Sequence, residues 1–136
     1  MAFGSYNKGF IPARTDFDWL SRDEATVDAY IAEPRCQFVF TLNGYHEMFK
    51  GLAFIAKKFK SQENAKEATG TFHFRGDDPV GGKGQGVQKV YDLFVLAGME
   101  TLDIIFYEGG RHEILNETNR KEVYNDLYDW LNKEIL

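Results

Sequence analysis

The chain has 136 residues, of which 43% are hydrophobic, 15% aromatic and 27% charged. This length and composition are typical of a single globular domain and exclude a disordered or collagen-like chain. The formal net charge of −5, without a dense stripe of Lys and Arg, argues against nucleic acid or an anionic membrane as the partner.

The sequence also limits the compartment and the metal chemistry. No stretch reaches the roughly 18 apolar residues that a membrane span requires, and the opening MAFGSYNKGF lacks the apolar core of a signal peptide. Cys36 is the only cysteine, which excludes an intramolecular disulfide and a cysteine-based zinc site. The three histidines have no ligand spacing, so we expect no metal and no cofactor in a cytoplasmic protein.

The first half of the chain, residues 1–66, is predicted to be helical. A capping box from Ser21 to Glu24 starts one helix, which Pro34 ends. A short apolar run, 37–41, is too short to assign. A second helix is predicted over 45–60, where apolar residues recur at helical spacing.

The second half, residues 67–136, alternates strands with helices. We predict strands over 71–75 and 102–107, and a helix over 87–97 that ends at Gly98. A last helix begins at Asn119, with Glu122 three residues further on. The order β-α-β-α predicts an α/β fold with parallel strands.

This topology places an acid and a histidine close together. Asp77 and Asp78 follow the first strand, and His112 follows the second. Because the carboxyl ends of parallel strands meet at one edge of a sheet, we expect these side chains to be neighbours. A carboxylate that holds the Nδ1 proton of histidine prepares that histidine to act as a general base. Glu108 is a further anion that would raise the pKa of His112 if the two are close.

Several segments resemble one known family. They are FGSYNKGF, FDWLSRDE, FTLNGYHEMFKGL, GDDPVGGKGQG and GGRHEILNE. Together they are similar to the cap segment and C-terminal part of α/β-hydrolases of the lysophospholipase and monoacylglycerol-lipase group, often labelled serine aminopeptidase-like. The resemblance implies a partial α/β-hydrolase fold, in which a helical cap segment precedes the β-α-β-α part, and hydrolysis of a carboxylic ester.

The resemblance also implies roles for individual residues. Asp78, the Asp before Pro, matches the triad acid, and His112 matches the triad base, although the shortened strand leaves Asp77 as an alternative acid. Arg75 stands where the family usually has Ser. The cap positions that would line an acyl-chain pocket are Phe40, Tyr45, Met48 and Phe49.

The chain departs from the family pattern in having no recognisable nucleophile. Ser5, Ser21 and Ser61 all lie outside a G-x-S-x-G turn, and so does Cys36. The sequence therefore looks like the C-terminal half of a longer hydrolase, inactive alone and completed by a separate N-terminal half. Two parallel strands leave an edge and an apolar face exposed, so self-association, most simply as a dimer, is also expected.

Two other functions remain open from the sequence. The chain can be a non-catalytic module that acts through its own dimer or a partner. Alternatively, the glycines between residues 81 and 86 follow a strand and open a helix, as in phosphate-binding turns, although they match neither G-x-G-x-x-G nor the P-loop.

Overall fold

The computed structural model describes residues 5–36, 38–59 and 69–135. Within these residues, helix α1 spans Glu24–Ala32 and helix α2 spans Leu42–Phe59. Strand β1 spans Thr69–Arg75, helix α3 Gln85–Leu96, strand β2 Thr101–Tyr107 and helix α4 Arg120–Ile135. Single 3-10 turns at Tyr6–Phe10 and Ile114–Asn116 were not predicted.

The two strands form a parallel pair, as predicted. Thr69 pairs with Thr101, and the register continues to Arg75 opposite Tyr107, so both strands end at the same edge. Residues alternate between the two faces of β1. Phe72 packs on Phe94 of α3, with ring centroids 5.7 Å apart, and the opposite face is turned toward α4. The predicted order β-α-β-α and the parallel direction of the strands are therefore confirmed.

Helix α1 begins two residues later than the capping box predicted. Its N-cap is Asp23, whose carboxylate accepts hydrogen bonds from the amides of Ala25 and Thr26. The Ser21 hydroxyl instead donates to the carbonyl oxygen of Asn116 over 2.9 Å and accepts from the Asp23 amide. Ser21 is thus used for a long-range contact, which a local capping pattern cannot reveal.

Helix α2 begins three residues before the predicted start, at Leu42, because the Thr41 side chain accepts a hydrogen bond from the amide of Gly44. It makes no extensive contact with another helix or strand of the described residues. Residue 60, the predicted end, lies outside the described residues, as does residue 37 of the apolar run. No helix within the described part is long and apolar enough to cross a membrane.

The best-buried residues lie where the N-terminal segment meets the start of α4. Val27 of α1 and Val123 of α4 are 1% and 0% exposed. Leu20 and Trp19, which precede α1, are also buried. Backbone hydrogen bonds from His112 to Trp19 and from Glu113 to Leu20 join this buried segment to the loop that follows β2.

Candidate active site

The Asp78 and His112 side chains meet at the carboxyl edge of the sheet. Nδ1 of His112 lies 3.1 Å from Oδ1 of Asp78. Asp78 is in the turn after β1, and His112 is in the loop after β2. The exposed fractions of the two side chains are 18% and 34%, so the pair lies at a partly open surface. The topology therefore brings these two predicted residues into direct hydrogen-bond contact.

The environment of Asp78 favours its ionised form. Burial alone would raise the pKa of this carboxyl group, but the hydrogen bond from His112 and the backbone amides of Val80 and Gly81 outweigh it and lower the pKa. The Val80 amide lies 2.8 Å from Oδ1. Asp78 is therefore the acid that contacts the histidine, whereas Asp77 is exposed.

The pKa of His112 is raised. The hydrogen bond to Asp78 is the largest cause; burial opposes it, and the charges of Asp78 and Glu113 add to the rise. Glu113, rather than the expected Glu108, is therefore the second carboxylate that affects this histidine. When Nδ1–H of the neutral ring donates a hydrogen bond to Asp78, Nε2 carries the free electron pair and can accept a proton.

The backbone around His112 is held by the segment that precedes α1. The His112 amide donates to the Trp19 carbonyl over 3.2 Å, and the Glu113 amide donates to the Leu20 carbonyl over 2.8 Å. The Trp19 ring also lies against the imidazole, with centroids 5.3 Å apart and an interplanar angle of 39°. One segment therefore fixes both the backbone and the ring of the candidate base.

The glycine-rich turn uses its backbone amides within the turn itself. The amide of Lys83 donates to the Asp78 carbonyl over 2.8 Å, and the amide of Gly86 donates to the Gly81 carbonyl over 2.9 Å. Gly82, Lys83 and Gly84 all have positive φ, which lets the chain turn tightly after Asp78. This turn therefore surrounds Asp78. Because the amides of Lys83 and Gly86 already donate to carbonyl oxygens within the turn, they count against phosphate binding there.

Three of the four predicted pocket residues, Phe40, Tyr45 and Phe49, form a partly exposed aromatic cluster. The rings of Phe40 and Tyr45 meet edge to face with centroids 5.5 Å apart, and Tyr45 stacks on Phe49 at 6.4 Å. Phe40, Met48 and Phe49 are 45%, 39% and 55% exposed. Their role as an acyl-chain pocket stays a prediction.

The remaining polar candidates have structural surroundings. Ser5 is exposed, Ser21 is 1% exposed and bonded to the Asn116 carbonyl, and Ser61 lies outside the described residues. His46 is exposed on α2. His73, predicted to be packed, is part-buried, and its Nδ1 lies 2.9 Å from the Tyr107 hydroxyl. No group of three His, Cys, Asp or Glu residues within the described chain is arranged to hold a metal ion.

The comparisons with known proteins identify the family of this chain. The family model of the S33 serine aminopeptidases matches residues 4–119. The chain belongs to this α/β-hydrolase family. No curated protein sequence matches the chain.

One solved structure shares the fold of this S33-family chain. The chain is similar to a highly thermostable carboxyl esterase from Bacillus coagulans, crystallised with glycerol, with a TM-score of 0.83 and 24% sequence identity. The match covers 98% of this chain but 44% of the esterase chain. The chain thus spans less than half the length of that esterase and adopts the corresponding part of its fold.

Arg75 and Glu117, whose structural roles were not predicted from the sequence, contact the loop that carries His112. Arg75 and Glu117 are 1% and 0% exposed, and Nη1 of Arg75 is 3.7 Å from Oε1 of Glu117. The Arg75 guanidinium also donates to the Ile114 carbonyl over 3.0 Å. The signal available in the sequence was Arg75 itself, an arginine at the end of an apolar strand, where a buried partner of opposite charge is required.

Proposed function

We propose that this chain supplies the acid and the base of a serine ester hydrolase, with Asp78 as the acid and His112 as the base. The observation that carries the proposal is the 3.1 Å contact between Asp78 and Nδ1 of His112 at the carboxyl edge of the sheet. The family membership supports it, because the S33 model covers both residues.

The proposed mechanism divides the work between the two side chains. His112 takes the proton of a serine hydroxyl as that oxygen attacks the ester carbonyl, and later gives the proton to the leaving alcohol. Asp78 holds the ring in the required tautomer and stabilises the imidazolium that forms. The nucleophile and the donors that stabilise the oxyanion come from polypeptide other than this chain, because no serine here lies in a G-x-S-x-G turn.

The proposed substrates are esters with an apolar acyl chain, of the lysophospholipid or monoacylglycerol type. The cluster of Phe40, Tyr45, Met48 and Phe49 supports this choice, since it offers a partly exposed apolar surface on the cap segment. Aromatic and thioether side chains bury a large area against an alkyl chain and adapt to its shape.

A chimeric enzyme tests this proposal. This chain replaces the matching 44% of the Bacillus coagulans esterase, and hydrolysis of p-nitrophenyl esters is measured. We expect activity that Asp78→Asn or His112→Ala reduces on the order of ten-thousandfold, as for removal of a triad member. Asp77→Asn is the matched control and should retain activity. A folded chimera that is inactive, or whose activity survives Asp78→Asn, contradicts the proposal.

We also propose, as a second function, that the chain self-associates or binds a partner. The observation that favours it is the exposed apolar surface of α2, where Leu42, Leu52 and Ile55 are 90%, 55% and 60% exposed. Leu96 at the end of α3 is 82% exposed. Apolar surface on this scale is usually covered in a soluble protein, and a second copy is the simplest cover.

A further inference from the structure

Glu117 is a wholly buried carboxylate five residues after His112. Its side chain is 0% exposed, and its Oε1 accepts hydrogen bonds from the backbone amides of Arg111 at 3.0 Å and Arg22 at 3.1 Å. Its Oε2 accepts from Nε of Arg22 and from the amide of Thr118, both at 3.0 Å. One buried side chain therefore ties the loop after β2 to the segment before α1.

These contacts complete the restraint on the histidine backbone. Three consecutive amides have fixed acceptors: that of Arg111 donates to Glu117, that of His112 to the Trp19 carbonyl, and that of Glu113 to the Leu20 carbonyl. A loop whose successive amides are all held cannot rotate without breaking buried hydrogen bonds. The direction of the His112 side chain is set by this backbone.

We propose that Glu117 is a positioning residue for His112, holding the loop so that Nδ1 meets Asp78. Its catalytic meaning rests on the proposed function, but the positioning itself can be measured without any reaction.

The energetics of the site favour positioning over stability alone as the reason for this carboxylate. Burying a charge is costly, and a buried ion pair is often no more stable than apolar packing of the same volume. The backbone amides of Arg111, Thr118 and Arg22, with the Arg22 side chain, overcome the effect of burial and lower the pKa of Glu117. Because the lowered pKa favours the ionised carboxylate, Glu117 is a strong acceptor for the backbone amides of both segments.

The test is the titration of His112, followed by NMR of the histidine ring, in the full chain and its Glu117→Gln variant. We expect the variant to lose the upward shift of the His112 pKa, because a loosened loop no longer holds Nδ1 against Asp78. A folded Glu117→Gln protein with an unchanged His112 pKa overturns the proposal, since a purely structural Glu117 would lower stability without moving that pKa.

Arg120→Ala is the matched control. Arg120 joins the same two segments through Asp23 at 2.8 Å and the Glu117 carbonyl at 3.2 Å, and neither contact involves the amides of residues 111–113. We expect Arg120→Ala to lower the unfolding midpoint while the His112 pKa stays raised. An equal downward shift in this control would show that any loosening between the segments suffices, and would overturn the specific role of Glu117.

A second variant decides the matter if Glu117→Gln does not fold. Arg22→Met removes the Nε donor but keeps the Arg22 backbone amide, and this side chain is 34% exposed. We expect a smaller downward shift of the His112 pKa, and an unchanged value overturns the proposal.

In the chimera, Arg22→Met should lower kcat by about tenfold with KM unchanged. An inactive chimera would count against the proposed function and leave the titration result standing.

Discussion

The backbone amide of His112 donates a hydrogen bond to the carbonyl oxygen of Trp19 over 3.2 Å, and the two rings lie 5.3 Å apart. Residues far apart in the chain therefore build one candidate site. The segment resembling a hydrolase cap does more than precede the core, since its portion before α1 holds the loop that carries the candidate base.

Removing the charge of Asp78 should lower the pKa of His112. In the unaltered chain that pKa lies above its ordinary value of 6.5, first because of the hydrogen bond to Asp78. Asp78→Asn leaves burial as the opposing effect, so the pKa falls. Ring NMR across a pH series measures the change. Asp77→Asn is the control, and a fall of the same size in that variant would show that the pairing is misassigned.

The same pair predicts how stability depends on pH. The folded pKa of His112 is raised above 6.5, so its contribution is complete below that pH and is lost as the pH rises through the folded value. The folded pKa of Asp78 is lowered below 3.8, so its contribution is complete above that pH and is lost on acidification. The stability difference between the unaltered chain and Asp78→Asn should therefore be greatest between pH 3.8 and 6.5, measured by urea unfolding. A difference that grows above this range would contradict the ion pair.

Gly110→Ala should destabilise the chain by about 1–3 kcal/mol, the usual effect of forcing extra volume into a packed site. A Cβ at Gly110 would run into Cδ and the guanidinium of Arg75, which is 1% exposed and cannot move aside. Thermal or urea unfolding measures the effect. Gly51→Ala is the control, because nothing lies within 4 Å of its Cβ position inside α2. Adding alanine there should be neutral or slightly stabilising, and equal losses in both variants would contradict this explanation.

Arg75→Met should cost about 3 kcal/mol of unfolding free energy. The substitution removes a buried cation 3.7 Å from Glu117 and leaves the Ile114 carbonyl without its 3.0 Å donor. Urea unfolding provides the measurement. The control is Arg35→Met, which breaks an ion pair with Glu33 on a side chain that is 88% exposed, and should leave the midpoint almost unchanged. If Arg75→Met is as harmless as the control, the buried network does not stabilise the loop.

Self-association should depend on the apolar face of α2. Sedimentation of the chain at micromolar concentration should show a species larger than a monomer, and Leu52→Glu with Ile55→Glu should shift it to the monomer. Both side chains are more than half exposed, so the charges interfere with association and not with the fold. Lys50→Gln, also on α2 and 61% exposed, is the control. A monomer in the unaltered chain would contradict self-association.

The sequence predicted the elements well because their signals are local. The period of apolar residues and the β-branched run at residues 102–107 located α3 and β2 to within two residues. Topology alone also placed an acid, Asp77 or Asp78, beside His112, since parallel strands end at one edge. The choice between the two acids came from the family resemblance and not from topology.

The supporting contacts could not be predicted because they cross long stretches of chain. The Arg22 amide and Glu117 lie 95 residues apart, and no local pattern marks either as the other's partner. The same reason explains the misplaced start of α1, where Ser21 binds the distant Asn116 carbonyl. Long-range polar contacts of this kind depend on how the segments pack, which periodicity does not encode.

Labelling with a fluorophosphonate, followed by intact mass and peptide mapping, distinguishes a nucleophile in this chain from one in other polypeptide. In the proposed enzyme this chain holds only the acid and the base. We predict no adduct on the chain alone, and one stoichiometric adduct in the chimera, on its esterase portion, which His112→Ala abolishes. A stoichiometric adduct on Ser5, Ser21 or Ser61 of the chain alone would contradict the proposed function, because it would reveal a complete active site built in another way.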